Sequence, residues 1–168
     1  MAEKNNLSLW SANLNISNWR RPAPNTIPWD TKAAGLYMIC TLSKHEAEKQ
    51  GYTDSLMLDH EGYIAEATGA NIFFKDKDGT LHTPIPDSFL DGITRRTVIE
   101  IANSMNIKVN ERKIKPDELK NFVGCFLTGT AAEVTPVSQI DKFNYKVCNT
   151  IIQLSESYLQ TVRKKKAA

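Results

Sequence analysis

Two four-residue turns, Asp59-His60-Glu61-Gly62 and Asp76-Lys77-Asp78-Gly79, constrain this chain more than any other feature. Each ends in glycine, which takes the positive φ that a tight hairpin requires. Short strand-like runs flank them: Leu56-Met57-Leu58-Asp59 and Tyr63 to Glu66 around the first, Ile72 to Phe74 and Leu81 to Thr83 around the second. Runs this short, joined this tightly, pair as antiparallel strands, because a parallel pair needs a crossover of about a dozen residues or more. Residues 5 to 19, Ile107 to Arg112 and Cys125-Phe126-Leu127 add further strand material.

Helical patterns surround these strands. Lys32 to Gln50 is expected to be helical, with Tyr37, Cys40 and Leu42 as its apolar positions and Gly51 as its C-terminal stop. Thr94 to Met105 carries the stripe Val98, Ile99, Ile101, Ala102 and Met105. Lys115 to Leu119 starts a short helix with Pro116 near its first turn. Thr130-Ala131-Ala132-Glu133 has the spacing of a helix capping box, cut short by Pro136. A last helix over Thr150 to Lys164 places Ile151, Leu154, Tyr158 and Val162 on one face. The proline-punctuated run from Arg20 to Pro28 is a connection. Hairpins with separate helices indicate an α+β fold, a mixed or antiparallel sheet flanked by helices, and argue against a doubly wound parallel sheet.

Composition excludes several classes. The 168 residues allow one domain with a sizeable core, and 41% hydrophobic with 24% charged is ordinary for a globular protein. A net charge of +2 does not suit a polyanion binder. The one basic cluster, Arg163 to Lys166, is expected to be a solvated tail, so no nucleic acid is expected as a partner. No apolar run spans a bilayer and the N-terminus lacks a secretory pattern, so the expected location is cytoplasmic. Cys40, Cys125 and Cys148 are odd in number and widely spaced, as reduced thiols would be. His45, His60 and His82 form no ligand pattern, and no metal site is expected.

The segment EATGANIFFKDKDGTLHTPIPDSFLDGITR, Glu66 to Arg95, lies within a longer ordered series: SNWRRPAPNTIPWDTKAAGLY, GYTDSLMLDHEGYIAEATGANIFF, TP, DGITR, ER and FLTGTAAEVTPV. Taken in order, from about Asn15 to Tyr158, these pieces resemble the class IV pyridoxal-phosphate (PLP) enzymes, the group of the branched-chain aminotransferases. The resemblance implies a pseudo-barrel large domain over residues 32–162. An N-terminal strand and connection would precede it over 1–31, and a basic tail would follow over 163–168. It also implies a homodimer and an N-terminal small domain, absent here, which a separate chain would have to supply.

Site residues follow from the same resemblance. Lys32 matches the Schiff-base lysine, an amine that must be neutral near pH 7 to attack an aldehyde. Tyr37 matches the tyrosine on the cofactor's phenolate oxygen. Glu66 matches the carboxylate that keeps the pyridine nitrogen protonated. Ile93, Thr94 and Thr130 match the cofactor phosphate site, where helix N–H groups and hydroxyls suit an anion. Gly129, Thr130 and Ala131 match a turn near the substrate carboxylate. Without the resemblance each has a plainer reading: Lys32 a surface charge, Tyr37 a core aromatic, Glu66 an exposed strand carboxylate, Thr94 a helix cap.

The implied activity is transamination of leucine, isoleucine or valine with 2-oxoglutarate by a PLP enzyme, so amino acids and 2-oxo acids are the expected partners. The alternatives are a non-catalytic remnant or subunit of such an enzyme, and a relative of aminodeoxychorismate lyase or D-amino acid transaminase. Leu36, Ala70 and Gly124-Cys125 depart from the residues usual in the family at those places.

Overall fold

The computed structural model of the protein describes residues 11–163. In chain order its elements are β1 (Ala12–Arg20), α1 (Met38–Lys49), β2 (Asp54–Leu58), β3 (Ile64–Ala67), β4 (Asn71–Asp76), β5 (Leu81–Thr83), α2 (Ile93–Ser104), β6 (Val109–Glu111), β7 (Phe122–Gly129), β8 (Glu133–Ile140), β9 (Phe143–Asn144) and α3 (Asn149–Arg163). Short 3-10 turns at Ala34–Tyr37 and Pro116–Asn121 lead into α1 and β7. The strands form one mixed sheet in the order β3-β2-β1-β8-β7-β4-β5-β6, with β9 on β8. Both glycine turns make the expected hairpins, β2–β3 and β4–β5, with Gly62 and Gly79 each at φ +92°.

This sheet has to curl. β3 and β4 are joined only by Thr68-Gly69-Ala70, yet they lie five places apart in the strand order. Five steps in a flat sheet span about 24 Å, whereas the chain from one strand end to the other reaches at most about 14 Å. The Ala67 N–H donates to the Ala70 carbonyl at 2.8 Å, which closes the link. The result is the half-barrel that the family resemblance implied.

Alternation fills both faces. In β4, Ile72 and Phe74 enter a cluster inside the curl with Leu14, Leu56, Leu127 and Ile140. Phe73 faces the other way, into a second cluster with Val98 and Ala102 of α2 and Ile151 and Leu154 of α3. Its ring stacks on Phe126 of β7 with centroids 4.9 Å apart. A strand buried on both faces reads as a continuous apolar run, which is why Asn71-Ile72-Phe73-Phe74 shows no polar alternation.

Several expectations are corrected. The helix placed over Lys32 to Gln50 begins only at Met38; Lys32 lies in irregular chain and Tyr37 ends a 3-10 turn. Its buried face is Cys40, Ser43 and Ala47, while Leu42 is exposed, because the Ser43 hydroxyl packs 2.6 Å from that of Ser17 in β1. Gly51, at φ +85°, does follow the last turn. The Thr130–Glu133 box is a β7–β8 hairpin loop, and Glu133 accepts from Arg163 of α3 at 3.0 Å instead of capping a helix. Pro136 lies within β8, opposite Phe126, where its missing N–H is tolerated because β1 pairing begins only at Val137. The strand expected over 5 to 19 runs Ala12–Arg20, and Leu7 and Leu9 fall outside the described residues. Arg163 closes α3 instead of opening a tail, and Val162 is exposed. The strand at 107–112 shrinks to Val109–Glu111.

Among the described residues no helix is long and apolar enough to cross a membrane, and no group of His, Cys, Asp and Glu could hold a metal ion. Cys40 and Cys125 are free and buried, and Cys148 is free and half-buried.

Candidate active site

A cavity of about 610 Å³ opens between the 28–37 segment, the β3–β4 turn, the start of α2 and the end of β7. Lys32, Tyr37, Glu66, Ile93, Thr94, Gly129 and Thr130 all line it. These residues span almost a hundred positions of sequence, so the fold itself assembles them. Ala131 is exposed and does not line the cavity.

Glu66 is the electrostatic centre of the wall. It sits in β3, its side chain 9% exposed. Burial pushes its carboxyl up to about 8, against the pull of Arg21. The Arg21 Nε lies 3.5 Å from Glu66 Oε1, too far for a well-formed hydrogen bond, and that Nε has no hydrogen-bond partner among the described residues. Arg21 is instead anchored by Nη1, which donates to Cys40 Sγ at 3.1 Å. The Cys40 thiol is raised, chiefly by burial. Tyr37, half-buried beside them, has its hydroxyl raised by burial and then by the Glu66 charge. The guanidinium thus only partly offsets the burial of Glu66, whose carboxyl holds its proton more tightly than an exposed one would.

At the other end, α2 begins at Ile93 after Gly92, and no side chain caps it. Its first N–H groups are therefore available to an anion, with the helix dipole in favour. Thr94 is buried and does not cap the helix; its Oγ1 lies 3.3 Å from the Tyr158 hydroxyl of α3. Ile93 is 75% exposed at the cavity mouth.

Three residues in or behind this wall were not singled out from sequence. Arg95 is fully buried and bonds Asp91, Glu111, the Pro84 carbonyl and Thr83, which pins the Asp91-Gly92 turn. Thr128 is 1% exposed, yet its hydroxyl has no partner among the described residues. Asn71, 4% exposed, bonds Glu66, the Leu90 carbonyl and Gly92. The available signal was a polar residue at the end of an apolar run, at Asn71 and at Thr128, which has to find a partner once buried.

The barrel-like mixed sheet, and a cavity lined by a lysine, a buried carboxyl group and an uncapped helix N-terminus, define a class of protein. A family model for amino-transferase class IV matches residues 2–140, and the chain belongs to that family. It is 51% identical over 135 residues to a probable branched-chain-amino-acid aminotransferase of Rickettsia bellii (strain RML369-C), an alignment covering 80% of this chain and 46% of the relative. Its fold matches the crystal structure of the T.th. branched-chain amino acid aminotransferase complexed with N-(5'-phosphopyridoxyl)-L-glutamate. That match has a TM-score of 0.89 and 38% identity, and covers 94% of this chain and 54% of the other. The same enzyme with pyridoxamine 5'-phosphate gives a TM-score of 0.91 at 36% identity, covering 99% of this chain and 56% of the other. The chain spans about half the length of the relatives it matches.

Proposed function

We propose that this chain is the cofactor-binding part of a PLP-dependent branched-chain aminotransferase, acting on leucine, isoleucine or valine with 2-oxoglutarate as the acceptor. The carrying observation is that Lys32, Tyr37, Glu66, Thr94 and Thr130 line one cavity. The similarity to enzymes that bear that name supports the substrate class.

The residues fit the cofactor. Glu66, raised to about 8, lacks the full cationic partner that a protonated pyridine nitrogen would supply. The start of α2 offers uncapped N–H groups for a phosphate, and Thr94 and Thr130 add hydroxyls. The Thr128 hydroxyl, buried without a partner among the described residues, suits a polar ligand.

PLP, when bound, supplies an electron sink that makes the substrate α-hydrogen acidic. The chain's own residues do the rest. Lys32 would hold the cofactor at its aldehyde carbon, and its amine, when free, would be the base that carries the proton from the substrate α-carbon. Glu66 holds a proton at the pyridine nitrogen. The Tyr37 hydroxyl, kept protonated by its surroundings, donates toward the phenolate oxygen. The α2 turn would hold the phosphate end, and Gly129 and Thr130, which line the same cavity, would meet the substrate carboxylate.

An absorbance titration of the purified chain with PLP tests this reading. A visible band that is absent from Lys32→Ala and bleached by leucine supports it. No band in the wild type, or an unchanged band in the variant, refutes it.

A further inference from the structure

We propose that Asn71 is a positioning residue that couples the two ends of the cavity, the Glu66 carboxylate and the anion-binding turn at Gly92. The proposal rests on the reading that this cavity holds PLP, and it concerns how the site is kept aligned.

The geometry is specific. Asn71 opens β4, where it sits directly opposite Thr128 of β7. Its Nδ2 donates to the Leu90 carbonyl at 2.9 Å and to Glu66 Oε2 at 3.3 Å. Its Oδ1 accepts from the Gly92 N–H at 3.1 Å. The amide therefore has one orientation: turned over, its oxygen would face a carbonyl and a carboxylate, and its NH2 would face an N–H donor.

Both partners are constrained by this one side chain. Glu66 has Arg21 on the Oε1 side and Asn71 on Oε2, which sets the plane of the carboxylate. At the other end, a Cβ on residue 92 would lie 2.3 Å from Asn71 Oδ1, so the close approach of Asn71 is what demands glycine there. With the Gly92 N–H committed to Asn71, the next N–H groups remain for a phosphate. A group that must both donate and accept within one short planar side chain is met by Asn. Asp only accepts and adds a second negative charge beside Glu66; Ala does neither.

Two variants of the full chain separate the ends. In Asn71→Ala, the Gly92 amide should exchange with solvent about tenfold faster and the Glu66 carboxyl should titrate higher, since a donor to its charged form is lost. In Asn71→Asp, Gly92 should stay protected while Glu66 titrates higher still. Coupling itself is tested with pyridoxal, which has the ring but no phosphate. Pyridoxal should shift the Gly92 amide resonance in the wild type and leave it unmoved in Asn71→Ala. Unchanged Gly92 exchange and Glu66 titration in folded Asn71→Ala would overturn the proposal, as would a Gly92 shift with pyridoxal that survives the substitution. If the wild type binds neither pyridoxal nor PLP, the functional reading fails, and the exchange and titration results still decide the role of Asn71.

Discussion

Glu66→Gln should remove a pH dependence of stability that the wild-type chain carries in the absence of PLP. Burial raises the Glu66 carboxyl from its ordinary 4.5 to about 8 in the folded protein, with Arg21 opposing the rise. The folded state therefore holds a proton that the unfolded chain releases, and stability falls as pH rises between those two values. Within that window stability is lost by about tenfold in the folding equilibrium per pH unit, or roughly 2 to 3 kcal/mol between pH 5 and pH 7. A glutamine side chain has no proton to lose in this range, while other titrating groups are common to both proteins. Urea unfolding followed by tryptophan fluorescence at pH 5, 6 and 7 should show the variant gaining on the wild type by about that amount. Saturating PLP should flatten the wild-type slope, because the pyridine nitrogen gives the carboxylate its cation. A stability gap that stays constant from pH 5 to pH 7 would refute the claim that Glu66 is buried with incomplete compensation.

Two further outcomes follow from the same wall. Thr128→Val keeps the side-chain shape and removes a buried hydroxyl that has no partner among the described residues, so the PLP-free chain should gain about 1 kcal/mol by urea unfolding while PLP affinity falls. Arg95→Leu removes the cation that ties Asp91, Glu111 and the Pro84 carbonyl together, and should cost about 3 kcal/mol of stability and weaken PLP binding through the displaced Gly92 turn.

Local chemistry explains what could be read from sequence. Gly62 and Gly79 adopt the positive φ that marks hairpins, and both hairpins form where those glycines stand. The apolar stripes of α2 and α3 place Val98, Ala102, Ile151 and Leu154 in one cluster because helical periodicity is a property of the segment. What failed to show depended on partners distant in sequence. Lys32-Ala33-Ala34 is built of good helix formers, yet Lys32 lies outside the helix and lines the cavity. Thr130 to Glu133 satisfies a capping pattern over four residues, but pairing of β7 with β8 overrides it and Arg163 takes the glutamate. The cavity itself was legible in part. Gly92-Ile93-Thr94 announces a helix N-terminus, whereas Arg21, Asn71 and Thr128 gain their roles only when β1, β4 and β7 are brought together by the curl of the sheet.

On the proposed function, Lys32 is the amine that would hold PLP. Borohydride reduction of the chain mixed with PLP, followed by digestion and mass mapping, tests it most directly. The expected result is a phosphopyridoxyl group on Lys32, at lower yield in Glu66→Gln and absent in Lys32→Ala. Label scattered over other lysines, with Lys32 unmodified, would contradict it.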